Sequence, residues 1–174
     1  ELALMLSERA LDYIHYEPRE NEHSTNTYLR NTALYTLSLF DHSPTRQFVL
    51  EKFEKFSIDT TSLHADLRGI IFALAIWSDD MHYDTILNYY KTSDIQEEKA
   101  KYLQALGNTK NKKLLSDTLA YCFSSEVRFA HIVYIINAVS RNPHANVMAL
   151  DWLFTNWETI LKLGGGIAHM ILRR

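Results

Sequence analysis

Apolar residues recur along this chain at the spacing of a single helix face, almost without interruption. Val49, Phe53 and Phe56 lie on one stripe, and Leu67, Ile70, Ile71 and Leu74 on another. Ile86, Leu87 and Tyr90 continue the pattern, as do Leu115, Thr118, Leu119 and Cys122. The clearest stripe is Ile132, Ile135, Ile136 and Val139, and its expected packing partner is Val147, Leu150, Phe154 and Trp157. Boundary residues agree with this reading. Ser43-Pro44 and Asn142-Pro143 each set a capping side chain before a proline suited to the first helical position. Ser93 with Gln96, or Asp94 with Glu97, offers a capping box. Gly107 and Gly164 suit helix C-termini, where a positive φ is often needed. The pattern predicts helices over 2–16, 23–40, 44–56, 64–78, 81–92, 95–106, 111–123, 127–140, 144–157 and 165–173.

Short loops between these helices predict antiparallel neighbours. Pairs beginning near 64, 95 and 127 recur every ~30–33 residues, a length typical of αα repeats. The expected fold is all-α: antiparallel αα-hairpin repeats stacked into a curved superhelix of the HEAT or armadillo kind, with a concave face. A length of 174 residues suits one domain over 1–174 with a sizeable core. Hydrophobic residues make up 47% and charged residues 22%, the balance of a globular chain. Five Gly and three Pro are too few to turn a many-stranded sheet. A net charge of −3 gives no electrostatic case for nucleic acid, and no apolar run approaches the ~20 residues that span a bilayer. Cys122 is the single cysteine, so no internal disulfide can form and a reducing compartment is favoured. There is no signal-peptide pattern. Glu1–Met5 and Ile167–Arg174 both read as helix, so the chain reads as a piece of something longer, with apolar surface that predicts self-association of the isolated piece.

Catalytic patterns are missing. The eight histidines are His15, His23, His42, His64, His82, His131, His144 and His169; none has another three or four residues on, so the helical H-E-x-x-H zinc motif is absent. Cys122 falls on an apolar stripe with no basic neighbour in sequence and reads as a core thiol. No G-x-S-x-G elbow occurs. Gly164-Gly165-Gly166 follows a predicted helix and lacks the Lys-Ser/Thr ending of a phosphate loop, so it reads as a helix-to-helix turn. Asp79, Asp80, Glu97 and Glu98 read as helix-terminus carboxylates that complement the dipole and caps. Of Tyr89 and Tyr90, one is expected to pack and the other to lie at a surface; Trp152, off the stripe of Leu150 and Phe154, faces a neighbouring segment in this reading.

A set of short motifs carries a resemblance. Ala65-Asp66-Leu67-Arg68-Gly69 looks like a "D-L-R" helix start; Glu98-Lys99 with Leu103-Gln104-Ala105-Leu106-Gly107 looks like an "E-K…L-x-A-L" helix. Arg141-Asn142-Pro143 resembles an "R-N-P" turn, and Trp152, Asn156-Trp157 and the glycine triplet resemble a "W-x-F…N-W…G-G" ending. In that order, over about residues 60–172, they resemble the C-terminal helical domain of the aminopeptidase N and puromycin-sensitive aminopeptidase family of zinc metallopeptidases. The first 60 residues fit as generic helices. The lack of disulfides and signals suits the cytosolic branch, including the archaeal tricorn-interacting aminopeptidases, which implies a cytoplasmic setting.

In that family the zinc, its H-E-x-x-H helix and the "G-x-M-E-N" substrate loop belong to an earlier, thermolysin-like domain, and this sequence has neither motif. The resemblance therefore implies a non-catalytic domain. It closes over an active site held elsewhere in the same polypeptide and shapes a chamber in which peptides are trimmed from their N-termini. The implied partners are that catalytic domain and peptide substrates; the implied cofactor is zinc in the parent and none in this piece. Asn137 sits where some relatives carry a substrate-contacting residue, on the helix that also holds Tyr134 and precedes Arg141; Arg128 is a possible contact for a peptide carboxylate. Each has a plainer reading. Asn137, Arg141 and Arg68 read as structural polar or ion-pairing residues, and Arg128 as a helix-start surface charge. A free-standing helical-repeat scaffold that binds a protein partner is compatible with the same periodicity; the ordered motifs favour the aminopeptidase reading. A self-sufficient hydrolase lacks its constellation.

Overall fold

The helical stripes fold as helices in the computed structural model, which describes residues 1–163. The elements are α1 (Leu2–Ile14), α2 (Ser24–Leu39), α3 (Ser43–Ile58), α4 (Ala65–Ser78), α5 (His82–Thr92), α6 (Gln96–Leu106), α7 (Lys112–Tyr121), a 3-10 turn (Phe129–His131), α8 (Ile132–Arg141), α9 (Asn146–Thr155) and α10 (Trp157–Leu163). No strand occurs among the described residues, and no helix among them is long and apolar enough to cross a membrane. The fold is all-α and helical-repeat-like. The turn expected at Gly164–Gly166 and the helix expected over 165–173, with His169, lie outside the described residues.

The residues fall into two compact units, Glu1–Asp79 and Asp80 onward. In the first, α1 packs along α2, α3 along α4, and α2 beside α4. Leu34, Leu37, Val49, Phe53, Phe56, Leu67, Ile71, Phe72 and Leu74 form its interior, with Phe53 and Phe56 packed on the Phe72 ring at centroid distances of 6.3 and 4.9 Å. Arg30 is its unexpected member: 0% exposed in the middle of α2. Its Nε donates to the His15 carbonyl (2.9 Å) and Nη2 to the Ile14 carbonyl (3.0 Å), closing the end of α1. Nη1 and Nη2 also grip both oxygens of Glu22 at 2.6 and 2.7 Å, a bidentate pair that offsets the charge's desolvation. That guanidinium holds the Glu22 carboxyl below its usual range. His15 has φ 63 and ψ 164, a conformation that suits glycine.

With so few glycines, other helix ends are closed by side chains that tolerate positive φ. After α2, Asp41 takes φ 52; its N–H reaches the Ser38 carbonyl (3.2 Å) and the His42 N–H the Leu37 carbonyl (3.1 Å), the two bonds of a Schellman ending. The expected Ser43 cap is displaced by one residue: His42 is the N-cap of α3, without a side-chain cap bond, and Pro44 stands in the first turn. Arg68, read as an ion-pairing residue, donates to the carbonyls of Leu63 (3.1 Å) and Thr60 (3.0 Å) and lies over the Phe56 ring.

In the second unit α6 lies between α5 and α8, and α8 also packs on α7 and α9. This shifts the expected pairing. The boundary between units falls inside the pair expected from 64, and α6 packs on α5 and α8 with no comparable contact to α7; of the three pairs expected near 64, 95 and 127, α8–α9 forms, while α1–α2, α3–α4 and α5–α6 pack as the short loops predict. Three boundary expectations are corrected here. Gly107 ends α6 with φ −73, an ordinary right-handed value. Its smallness matters for another reason: a Cβ there would sit 2.5 Å from Ala138 Cβ and 2.8 Å from Val139 N, so only glycine lets the end of α6 touch the α8 backbone. Asn142 is buried, and α9 starts only at Asn146, so Asn142 is not the N-cap of α9 but the C-cap residue of α8, its N–H on the Val139 carbonyl. Its Nδ2 donates to the carbonyls of Gly107 (2.8 Å) and Thr109 (2.7 Å), and its Oδ1 accepts from His144 N (2.9 Å). No capping box opens α6: Ile95 is the N-cap, and Ser93 Oγ accepts from Ile95 N at 3.2 Å.

The stripe Ile132, Ile135, Ile136 and Val139 is buried as expected. Its expected partner stripe is not. Val147, Leu150 and Phe154 are 67%, 51% and 71% exposed, Ala149 is the buried residue of α9, and Trp157 opens a separate helix after a break at Asn156. Small residues at 145 and 149 face inward, so α9 approaches closely and turns its large apolar residues outward.

Candidate functional site

Four residues singled out in the sequence belong to the second unit's α8 and the turn before it. The burial of Ile132, Ile135, Ile136 and Val139 fixes which way α8 faces, and leaves the opposite stripe outward. Tyr134, 37% exposed, Asn137, half-buried, and Arg141, exposed, stand on it at helical spacing. Arg128, exposed, is the extended residue that opens the 3-10 turn, outside that stripe. Among the described residues neither arginine forms an ion pair and Asn137 forms no hydrogen bond.

Beside Arg128 is a tyrosine-rich corner that the periodicity did not reveal. The Tyr90 hydroxyl donates to the Glu126 carbonyl at 2.8 Å, and the Tyr121 hydroxyl donates to the Glu126 carboxylate. Lys91 Nζ is 3.3 Å from that carboxylate. Tyr121 and Lys91 together hold the Glu126 carboxyl below its usual range. Burial, reinforced by the Glu126 bond and charge, raises the Tyr121 hydroxyl, and burial raises Tyr90. Lys99 Nζ lies over the Tyr90 ring, 5.0 Å from its centroid. His131 is 7% exposed, with its ring 6.4 Å from that of Tyr90 and 6.0 Å from that of Tyr134. Burial, then the charges of Arg128 and Lys99, lower its pKa, so it is neutral at pH 7. His131 had appeared in the sequence only as one of eight histidines; its spacing to Tyr134 was the available signal.

Cys122 is buried, and burial pushes its thiol up to about 12, so it is not a thiolate at neutral pH. Among the described residues no three of His, Cys, Asp or Glu come together as metal ligands. Around α9 a cleft of about 610 Å³ is lined by Lys112, His144, Val147, Asp151, Trp152 and Asn156. Trp152 meets a neighbouring segment as expected, stacked on Phe123 at 5.2 Å and 20°. Of the two tyrosines, Tyr90 is buried and Tyr89 is half-buried against Tyr102.

The family described as "ERAP1-like C-terminal domain" matches residues 1–174, and the chain belongs to that family. It is 27% identical over 151 residues to aminopeptidase M1 of Arabidopsis thaliana, covering 83% of this chain and 17% of that protein. It is 27% identical over 161 residues to probable aminopeptidase 2 of Sulfurisphaera tokodaii, covering 88% of this chain and 19% of that protein. A glutamyl aminopeptidase of Bitis rhinoceros is 29% identical over 105 residues, 58% of this chain and 11% of its own length. The chain thus spans less than a fifth of each of these relatives.

Proposed function

We propose, from membership of the ERAP1-like C-terminal domain family, that this chain is one helical-repeat domain, 1–174, of a zinc aminopeptidase, and that it contributes no catalytic group. Its role is to close over an active site carried elsewhere in the same polypeptide and to form part of the wall of a chamber in which peptides lose their N-terminal residues. The family match over the whole chain carries this reading; the names of the relatives agree with it. In this reading zinc belongs to the parent's catalytic domain, as membership of the family suggests. Tyr134, Asn137 and Arg141, with Arg128 at the turn before them, are the substrate-facing groups. What supports them is an outward stripe on which, within the described chain, Asn137 makes no hydrogen bond and Arg141 no ion pair. Closure of such a wall excludes water and positions the far part of a peptide without touching the scissile bond. A cytoplasmic setting is part of the same reading, supported by a single, buried cysteine.

The test compares the chain alone with the full polypeptide that contains it, on amino-acid anilides and on longer peptides. The full polypeptide is expected to hydrolyse both and the chain alone neither. In the full polypeptide, Asn137→Ala and Arg141→Ala should raise KM for long peptides several-fold and leave anilide hydrolysis unchanged. Hydrolysis by the chain alone would overturn the non-catalytic role. An equal loss on both substrates would remove the wall assignment. Inactivity of the full polypeptide would leave the scaffold reading in its place.

A further inference from the structure

The corner between α6 and the turn before α8 carries two cations with no ion-pair partner among the described residues, Lys99 and Arg128. They come from different elements. Lys99 Nζ stands 5.0 Å from the Tyr90 ring centroid, and His131 approaches the same ring at 6.4 Å. Arg128 is three residues before His131, and its positive charge acts on both His131 and Tyr90. The nearby carboxylate, Glu126, is already engaged by Tyr121 and Lys91. His131 is more than nine-tenths buried, and its Nδ1 is buried without a hydrogen-bond partner. A buried polar atom left unpaired costs about 1–3 kcal/mol and calls for a missing partner. Like charges gathered around a desolvated imidazole repel its protonation; a bound anion would reverse both effects.

We propose that Lys99, Arg128 and His131 form a binding site for a small phosphate-type dianion. Lys99 and Arg128 supply the two positive charges, Arg128 with a fork suited to two phosphate oxygens. His131 presents an imidazole N–H to a third oxygen once the side chain shifts to expose it. Two cations match a dianion better than a monoanion, which separates this ligand from a single carboxylate. Arg128 is shared with the peptide-facing surface proposed above, but the site stands without that reading, and its test needs neither peptide nor catalysis.

The experiment follows the imidazole resonances of His131 by NMR in the 174-residue chain, assigned with His131→Gln, as inorganic phosphate is added at constant ionic strength. Saturable binding that raises the His131 pKa is expected. Lys99→Gln and Arg128→Gln should each weaken it about tenfold, the effect of one charge-assisted bond, and the double variant should abolish it. Acetate should bind at least about tenfold more weakly; equal affinity would overturn the dianion assignment and point to a carboxylate. A response matched by chloride, or one that persists in the double variant, would reduce the effect to screening. Absence of any response in the wild-type chain would remove the site. The wild-type titrations decide the matter even where a variant fails to fold.

Discussion

In the first unit the end of α1 is closed by a buried guanidinium; in the second the end of α6 is closed by a buried amide. Arg30 takes the carbonyls of Ile14 and His15, and Asn142 takes those of Gly107 and Thr109. Both answer the same need, since the last carbonyls of a helix have no partner within it. The costs differ. A buried charge must bring a counterion, and Glu22 is there. A neutral amide needs none, but its short reach demands that the chains come close, and Gly107 against Ala138 and Val139 permits it. One solution depends on electrostatics and the other on steric clearance, so different substitutions should break them.

Arg30→Met should have the largest effect. It leaves the Glu22 carboxylate without its partner and two carbonyls without donors, and breaking a buried pair from one side costs about 3–5 kcal/mol. Trp77 belongs to the same unit, its indole N–H on the Ser38 carbonyl at 3.0 Å. In urea, Trp77 fluorescence, read with Trp152 and Trp157 replaced by Phe, should show the loss. Adding Glu22→Leu should recover part of it by removing the stranded charge. A loss under about 1 kcal/mol would mean that water replaces Arg30 without penalty.

Gly107→Ala comes next. Its φ is ordinary, so the whole effect is overpacking, about 1–3 kcal/mol. Adding Ala138→Gly should restore part of it, because Val139 N remains 2.8 Å from the new Cβ. A neutral Gly107→Ala in thermal melts would show that α6 and α8 slide apart freely. Asn142→Ala should cost a similar or smaller amount, about 1–3 kcal/mol, and Asn142→Asp more, since a carboxylate would face two carbonyl oxygens. His15→Gly should act in the opposite direction in the first unit. It relieves a conformation costly to a side chain but adds chain entropy to the unfolded state, a net gain of up to about 1 kcal/mol.

These residues also show where the sequence was legible. The stripe of α8 was plain because four apolar residues at helical spacing have one reading. Arg141-Asn142-Pro143 was recognisable as a pattern, but its physical role was not: a cap before proline and an amide reaching to a turn 33 residues away look alike in one dimension. Gly107 was misread for the same reason, since close approach leaves no local mark. Arg30 shares the α2 stripe of Ala33, Leu34 and Leu37, and spacing alone does not show the Glu22 carboxylate and helix-end carbonyls that receive it. The α9 stripe misled because periodicity locates a face without saying what covers it. At the candidate surface, Tyr134, Asn137 and Arg141 could be placed on one face by counting. The His131–Lys99–Tyr90 corner could not, because it joins helices by tertiary packing.

The smallest effect expected is in acid, and it distinguishes the two units by order rather than size. The folded pKa of His131 lies below its ordinary 6.5, from burial and then from Arg128 and Lys99. The unfolded chain therefore takes up that proton first as pH falls. The stability His131 contributes is complete above about pH 6.5 and is lost as pH drops from there through its folded pKa. Glu22 is also depressed, below its ordinary 4.5, by Arg30. Its contribution is complete above about pH 4.5 and disappears only as pH falls through a still lower folded value. Acid should thus loosen the corner around His131 before it loosens the Arg30–Glu22 pair. Amide exchange read from pH 7 down to about pH 2 should show protection falling first around residues 128–134 and, below about pH 4.5, around residues 14–30. His131→Gln should remove the first phase and leave the second. Simultaneous loss in both regions would show that a global proton uptake governs acid unfolding, and that neither residue marks its own unit.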